Sequence, residues 1–416
     1  MTFATRPTWK KAAIAFAIAS VLTACGEGGG GGDGDSDGTP SAVGTFVDAP
    51  VNGLAYRTSS GFEGTTGDAG GPGTFHYKPG EVVTFSLGGL TLGEITPAAA
   101  NGAVVTPADI ADGNEAVAAN LMVLLQSLDS NDDEDVIEIS LPNNVSLSGV
   151  NLSDSSAVEN AIKSANRTPV SPDDALRHAT QQFWNQVGGV WHFNAEDGHV
   201  VMVLSGEGRY LIGETGEADD DGFPSVEWGS LNWNPATRLA SVSLNPANDY
   251  SGEWGLSHPG SGKWFMSYDG AVLKMHDSED EEDGADFTRV PTSTSNPLIG
   301  AWRVSAESSS TPPRVFVFYP DDTYFMLDPV GDDEETACGE PGVEKGTYSY
   351  ASGTLTVLEV LQDTNGCAGL NDSTPNGTGK AKLQNIRFSS NNTSFDAEVH
   401  NRDGYEGTVR MIRIDR

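Results

Sequence analysis

Alternating oxygen-bearing side chains form the clearest candidate for metal chemistry in this chain. They lie in the stretch L-D-S-N-D-D-E-D-V-I-E-I and comprise Asp129, Asn131, Asp133 and Asp135. Calcium needs six to eight hard oxygen ligands that converge in a tight loop, and alternate side chains can supply them. The pattern departs from an EF-hand, since Glu134 stands where that loop needs glycine. We expect a calcium site here; the alternative is a helix end with solvated carboxylates.

No motif in the sequence indicates catalysis. The zinc-protease pattern HExxH, the Gly-x-Ser-x-Gly elbow and an Asp-Thr-Gly triplet are all absent. The run Gly260-Ser261-Gly262-Lys263 lacks the spacing of a phosphate-binding loop. The seven histidines show no ligand spacing, and the abundant carboxylates single out no glycosidase pair. We therefore expect a protein that is not an enzyme.

Helical and extended segments position the acidic run. Apolar residues at helical spacing predict a helix over 114–128, which ends directly at the acidic run. Two further helices are predicted over 155–165 and 172–186, and the second begins with a capping serine, a proline and two acids. Before them, alternation of apolar residues predicts short strands from residue 43 to about residue 95.

The strand segment has a recognisable order: D-A-P-V-N-G-L-A-Y, then G-T-T-G-D-A-G-G-P-G-T-F-H-Y, then G-E-V-V-T-F-S-L-G-G. It resembles a β-module common in surface proteins and lipoproteins of Gram-negative bacteria, and related carboxypeptidase-regulatory, transthyretin-like sandwiches. The resemblance covers about fifty residues, and in similar modules a helix L-L-Q-S/T-L-D leads into a loop like the acidic run. It implies a spacer or adhesive stalk whose glycine and aromatic residues are structural.

The N-terminus carries an export signal. Two lysines precede an apolar run of about ten residues, too short to span a bilayer and the right size for a secretory signal. The run ends in Leu22-Thr23-Ala24-Cys25, which resembles a bacterial lipobox. The resemblance implies cleavage before Cys25, lipidation of its sulfur and stable membrane anchoring. Gly26 at the next position favours the outer membrane, with its face left open; the alternative is an ordinary cleaved signal.

The composition of the chain narrows the range of possible partners. The 416 residues carry a formal charge of −36, which repels nucleic acid and anionic membrane surfaces. Gly26 to Pro40 is rich in glycine and aspartate, without an apolar residue, and should form a flexible tether. Once Cys25 is lipidated, only Cys338 and Cys367 remain, and two thiols in an exported protein predict one disulfide.

The second half of the chain is an internal duplication. G-V-W-H-F at 189 matches G-A-W-R-V at 300, V-E-W-G at 226 matches V-E-K-G at 343, and D-Y-S-G-E-W-G-L at 249 matches D-T-N-G-C-A-G-L at 363. Each copy spans about a hundred residues and shows roughly eight strands, enough to close an up-and-down barrel. Two β-sandwiches, or one larger barrel built from both copies, are the alternatives.

The opening Gly-x-Trp and an arginine in the last strand of each copy resemble the calycin pattern of lipocalin-like barrels. In that pattern the arginine lies over the tryptophan and seals the closed end of the barrel. The pairs here would be Trp191 with Arg289 and Trp302 with Arg413. The resemblance implies two tandem lipocalin-like barrels.

One end of these barrels should collect the long loops. Counted along a meander, Cys338 and Cys367 fall in loops at the same end, as do the long loops 214–225 and 245–261 of the first copy. Trp254 lies in the second of these loops and marks the proposed ligand mouth. Trp228 and Trp233 are five residues apart on one strand, so they face opposite sides and one should point outward.

We therefore expect a mainly β protein with these parts: a signal peptide 1–24, a tether 25–40, a β-module with a helical segment 41–187, barrel repeats 188–290 and 298–416, and a linker 291–297. The expected function is non-catalytic binding or adhesion by a lipid-anchored envelope protein, toward a surface ligand, glycan or envelope protein. An alternative is carriage of a small apolar ligand inside the barrels, which a packed interior would contradict. A carbohydrate-active hydrolase is the lower alternative.

Overall fold

The computed structural model confirms the mainly β fold class, with two closed eight-stranded antiparallel barrels in tandem after a small sheet module. It describes residues 40–131, 133, 135–194, 198–219, 222–259, 261–305, 311–331, 339–366, 369–372, 379–380, 382–401 and 404–414. The signal segment, the tether up to residue 39, and Cys25, Cys338 and Cys367 lie outside the described residues. The chain divides into two compact units at residue 170.

The N-terminal unit, residues 40–170, is built on short strands. They are β1 (Ala42–Phe46), β2 (Val51–Asn52), β3 (Ala55–Thr58), β4 (Glu63–Thr65), β5 (Thr74–Tyr77), β6 (Val83–Leu87), β7 (Leu90–Ile95), β8 (Val104–Val105) and β9 (Ile137–Glu138). They form one sheet in the order β5-β1-β8, a second in the order β4-β3-β6-β7, and a parallel pair β2-β9. Alternate residues of β1 and β6 are buried, as their period of two predicts.

Aromatic side chains from both sheets form the core of this unit. Phe85 of β6 contacts Phe46 of β1 and Phe75 of β5, with ring centroids 4.9 and 5.1 Å apart. Both contacts are edge-to-face, the arrangement that aromatic quadrupoles favour. The glycine- and aromatic-rich motifs of this segment therefore serve packing. The finer resemblance to a transthyretin-like module stays a prediction.

The three predicted helices are confirmed as α2 (Glu115–Ser127), α3 (Ser155–Ser164) and α4 (Pro172–Val187). A short helix that the sequence did not predict, α1 (Pro107–Ile110), precedes them. The side chain of Asn114 caps α2 by accepting a hydrogen bond from the backbone N–H of Val117. Among the described residues, the structure contains no helix with the length and apolar character needed to span a bilayer.

Helix α4 groups with the barrels and not with the N-terminal module, although it belongs to the predicted segment 41–187. Phe183 of α4 stacks on Trp233 of the first barrel with ring centroids 3.7 Å apart, and Trp184 lies edge-on to the same tryptophan. The sequence predicted the helix from its caps and periodicity, but periodicity cannot show which surface the apolar face covers.

The C-terminal unit, residues 171–414, contains both barrels. The first consists of β10 (Gly189–Asn194), β11 (His199–Leu204), β12 (Arg209–Thr215), β13 (Val226–Trp233), β14 (Leu239–Ser243), β15 (Trp264–Tyr268), β16 (Val272–Asp277) and β17 (Gly284–Arg289). Each strand pairs with its neighbour in sequence, and β10 closes the barrel on β17. This up-and-down order is what the eight-strand repeat predicted.

The second barrel repeats this plan. Its strands are β18 (Gly300–Val304), β19 (Val315–Phe318), β20 (Thr323–Asp328), β21 (Gly342–Ala351), β22 (Thr354–Asp363), β25 (Lys382–Phe388), β26 (Ser394–Asn401) and β27 (Gly404–Arg413), while β23 (Asn371–Asp372) and β24 (Gly379–Lys380) form a separate ribbon. Pairing of β18 with β27 closes it. Two separate closed barrels are consistent with lipocalin-like repeats and exclude both the sandwich and the joint-barrel alternatives.

Candidate ligand-binding site

The structure brings together the tryptophan and arginine of each repeat. The guanidinium of Arg289 lies 4.2 Å from the ring centroid of Trp191, and that of Arg413 lies 4.1 Å from Trp302. In each barrel the two residues are also backbone partners across the closing strands. Each indole N–H donates to the carbonyl four residues earlier, at 2.7 Å in both copies. The two repeats therefore share this indole hydrogen bond as well as the contact between tryptophan and arginine.

The glycine of each Gly-x-Trp makes room for the arginine. Gly189 and Gly300 have φ of +127° and +134°, and a Cβ at either position would collide with the guanidinium of its own barrel. Glycine alone tolerates both this backbone conformation and the close approach. The motif thus positions an arginine over a buried ring.

Large side chains fill the interior of both barrels. The inward-facing set in the second barrel forms one continuous buried cluster that includes Trp302, Tyr324, Tyr348 and Phe395, each at most 1% exposed. In the first barrel, Trp191, Met266 and Phe287 are each fully buried. Close-packed interiors of this kind leave little room for a ligand. This packing counts against carriage of an apolar molecule inside the barrels.

The acidic run after α2 uses its side-chain oxygens to hold its own backbone. Asp129 accepts hydrogen bonds from the N–H groups of Asn131 and Glu138, Asn131 accepts one from Asp133, and Asp133 accepts one from Asp135. Among the described residues, these acids do not form a converging group of three ligand atoms. A calcium site at this run stays a prediction.

Trp254 lies in the long loop of the first barrel and is partly buried. Its indole covers Gly222, where a Cβ would collide with the ring, and its N–H donates to Asp219 at 3.3 Å. Glycan stacking needs a free aromatic face, so this contact argues for a structural role. The two cysteines predicted to be bonded lie outside the described residues, but their neighbours Gly339 and Gly366 are partners in an antiparallel bridge. The disulfide stays a prediction.

A buried glutamate anchors the long-loop end of the first barrel. Glu227 is fully buried and accepts a hydrogen bond of 2.5 Å from the hydroxyl of Tyr210. Its carboxylate also accepts from the backbone N–H groups of Leu256 and Ser257, at 3.1 and 3.2 Å. Burial raises the pKa of Glu227, and the charge of nearby Asp249 adds to that shift. The carboxylate holds the following loop against the barrel.

The second barrel contains the same arrangement. Glu344, also fully buried, accepts hydrogen bonds from the hydroxyl of Tyr324 and from the backbone N–H groups of Leu370 and Asn371. Burial raises the pKa of this carboxyl to about 7. Glutamate, tyrosine and loop therefore belong to the repeat itself.

The outer faces of the two barrels pack against each other. Valines, aromatics and leucines from both barrels form one buried cluster, which includes Val201, Leu211, Trp228, Val317, Phe325, Leu327 and Val343. Trp228 is thus the outward-facing member of its strand, and Trp233 faces inward. The side-chain amide of Gln362 adds two hydrogen bonds to the backbone of Gly216, at 2.7 and 2.9 Å. The barrels form a packed pair.

A histidine pair lies at this interface, with His199 buried and His192 half-buried. Nε2 of His199 lies 3.1 Å from the hydroxyl of Tyr319, and the ring of His199 also contacts Phe325. Burial lowers the pKa of His199 to about 3, with smaller contributions from the charges of Lys345 and His192. Burial lowers the pKa of His192 as well. Neutral imidazoles therefore hold the barrels together at neutral pH.

Replacing Gly213 by alanine is expected to destabilise the barrel pair. The new methyl group would lie 2.8 Å from Cγ1 of Val343 and close to Leu327 across the interface. Overpacking of this kind costs about 1–3 kcal/mol of the free energy of unfolding, which urea denaturation measures. Gly206→Ala is the matched control, since its methyl group would meet only Asn185, at 3.6 Å. Equal stability of the two variants would contradict the close packing.

A groove of about 1190 Å³ runs between the two barrels. Its walls are mainly apolar, formed by Val203, Leu211, Trp228, Leu244, Pro312 and Ile412. Arg209 and Arg303 also line the groove. Arg209 is paired with Glu207 at 2.6 Å. The groove therefore combines a large apolar surface with arginine side chains.

The sequence predicts a ligand site at the long-loop mouth and does not predict the groove between the barrels. One signal pointed to it: β11 and β19 are apolar at nearly every position, H-V-V-M-V-L and V-F-V-F, which indicates strands buried on both faces. The glutamate in V-E-W-G and V-E-K-G was a signal for the buried carboxylates Glu227 and Glu344, because an acid at the same place in both copies interrupts an apolar strand.

Comparison with known proteins adds no identification to this geometry. No model of a known protein family matches the chain, and no curated protein sequence is similar to it.

Proposed function

We propose that this protein is a non-catalytic binding protein of the bacterial cell envelope whose ligand lies in the groove between the two barrels. The groove is the observation that carries the proposal. Its volume of about 1190 Å³ lies just above the range of about 300–1,000 Å³ that is usual for small-molecule sites. The barrel interiors, in contrast, are filled by their own side chains.

The lining of the groove selects the class of ligand. Val203, Leu211 and Leu244 offer an apolar wall, and Trp228 adds a large ring. Arg303 offers a guanidinium that suits a carboxylate or phosphate. We therefore assign the groove to an amphipathic molecule with an apolar body and one anionic end, such as a fatty acid.

Envelope placement rests on the N-terminal sequence. The lipobox ending in Cys25 would anchor the protein in the outer membrane, and the glycine-rich tether would separate the folded units from it. We retain the disulfide between Cys338 and Cys367, the calcium at Asp129, and the spacer role of the N-terminal module as parts of this proposal. The strongly acidic chain also makes nucleic acid an unsuitable partner.

Binding of dodecanoate to the purified full chain tests the groove. Trp228 lines the groove, so its fluorescence should change on binding. Val203→Arg places a long charged side chain on the apolar wall and should abolish the response. Arg303→Gln should weaken dodecanoate binding about 10- to 150-fold, because a charged hydrogen bond contributes about 1.5–3 kcal/mol.

Leu358→Arg is the matched control, since Leu358 is 51% exposed and lies outside the groove lining. It should bind dodecanoate as the wild type does. Dodecyltrimethylammonium, which reverses the charge of the head group, should bind more weakly than dodecanoate. Equal binding of the two amphiphiles, or unchanged binding by Val203→Arg, would reject the groove as the site.

A further inference from the structure

Two acidic side chains lie directly opposite each other at the long-loop end of the first barrel. Glu227 of β13 and Asp249 are partners in an antiparallel β-bridge, and the N–H of Tyr250 donates to the carbonyl of Val226 beside it. Side chains of directly opposed residues point to the same face of the sheet, and like charges so placed are destabilising. A neutralising group is therefore expected close to the two carboxylates.

The second barrel repeats the carboxylate pair and shows one way to satisfy it. Glu344 and Asp363 are register partners of β21 and β22. There the amide of Asn371 donates a hydrogen bond of 2.8 Å to Oδ2 of Asp363. Serine replaces this asparagine in the first barrel, so the amide donor is missing there.

The residue at the corresponding position in the first barrel is Ser257, whose hydroxyl contacts a histidine. Its hydroxyl lies 2.8 Å from Nδ1 of His258, while Asp249 binds the N–H and hydroxyl of Ser251 through Oδ1 alone. Oδ2 of Asp249 accepts no hydrogen bond from a described residue.

His258 completes this arrangement. One ligand atom from each of Glu227, Asp249 and His258 lies within 4.8 Å of the other two, the one such group among the described His, Cys, Asp and Glu residues. His258 is exposed, so solvent reaches the group from its side. An imidazole together with two carboxylates suits zinc and similar divalent transition metals, whereas calcium prefers oxygen ligands alone.

We propose that Glu227, Asp249 and His258 form a binding site for a divalent transition metal of the zinc class at the long-loop end of the first barrel. The three side chains supply the protein ligands, and water completes the coordination shell. The ion balances the opposed carboxylates and links β13 to the two loop segments that hold Asp249 and His258. In the second barrel, Asp372 stands at the position that corresponds to His258.

Zinc titration of the chelator-treated full chain, followed by calorimetry, tests the site. The wild type should bind zinc at this site, and His258→Ala should weaken that binding on the order of 100-fold, since even residues behind a metal ligand change affinity 10–100-fold. Asp249→Asn should weaken it similarly. His258 is exposed and Asp249 half-buried, so both variants should fold, whereas a change at buried Glu227 would disturb the barrel.

His276→Ala is the matched control, because His276 lies in the same barrel but stacks on Phe265, away from any acidic group of this kind. It should bind zinc as the wild type does. X-ray absorption of the zinc-loaded chain should show one histidine nitrogen among oxygen ligands, and this signal should vanish in His258→Ala. Equal zinc binding by wild type and His258→Ala would overturn the proposal, as would calcium binding at the same site with equal affinity.

Discussion

Trp302→Ala is expected to lower the free energy of unfolding of the second barrel by about 3–5 kcal/mol, the cost of truncating a large buried aromatic side chain. Trp302 is fully buried at the closed end, where its ring lies under Arg413 and its N–H donates to Leu298. Arg413 in turn donates to the carbonyls of Ile299 and Asn392. Urea denaturation followed by near-ultraviolet circular dichroism measures the loss.

A double-mutant cycle separates the cation–π contact from simple loss of volume. Arg413→Ala alone should also destabilise, and the double variant should lose less than the sum of the two, by about 1–2 kcal/mol. Trp254→Ala serves as the control, because Trp254 lies in a loop and is only partly buried. Strict additivity of Trp302→Ala and Arg413→Ala would contradict a closing contact between the two side chains.

Acidification is expected to weaken the barrel pair through His199. The folded-state pKa of about 3 lies below the ordinary value of 6.5, so the unfolded chain binds the proton first as the pH falls. The stabilising contribution is complete above pH 6.5 and is lost progressively between pH 6.5 and pH 3. Between pH 7 and pH 5 the expected loss is about 2 kcal/mol, since each pKa unit corresponds to about 1.4 kcal/mol.

His199→Gln isolates this effect, because its amide retains hydrogen-bonding capacity toward Tyr319 but does not titrate. The variant must be compared with the wild type at each pH, because other groups also titrate. Burial raises the pKa values of Glu214 and Glu344 to about 7, and these two carboxyls increase the free energy of unfolding as the pH falls. Urea denaturation at pH 7 and pH 5 should show a steeper loss in the wild type than in His199→Gln. His276→Gln, at a histidine outside the interface that stacks on Phe265, is the control. Parallel curves for wild type and His199→Gln would show that His199 does not control the interface.

Much of the fold was predictable because the two copies could be compared with each other. Alternation of apolar residues predicted strands, and the repeated Gly-x-Trp with a late arginine predicted closed barrels of the lipocalin-like kind. Helices 114–128 and 155–165 were predictable from caps and spacing, which depend on neighbouring residues only. These features share one property: the residues that determine them are close in sequence or repeated.

The candidate sites depend on residues that are distant in sequence. Val203 and Pro312 line one groove although 109 positions separate them along the chain, and Glu227 meets Asp249 and His258 only through strand register and loop path. A one-residue change of register would turn Glu227 to the other face of the sheet. Sequence patterns do not specify such registers or the partner of an outer face, so the prediction placed the ligand at Trp254 instead.

The sequence by itself determined the mainly β class, the duplication, and the pairing of each tryptophan with its arginine, because short-range patterns and repetition carry that information. Only the tertiary structure decided that α4 packs on the first barrel, that the barrel interiors are filled, that neutral histidines lie between the barrels, and that three metal-ligating side chains converge. Those outcomes depend on which apolar faces pack against each other, and the burial of apolar surface in the folded chain determines that packing.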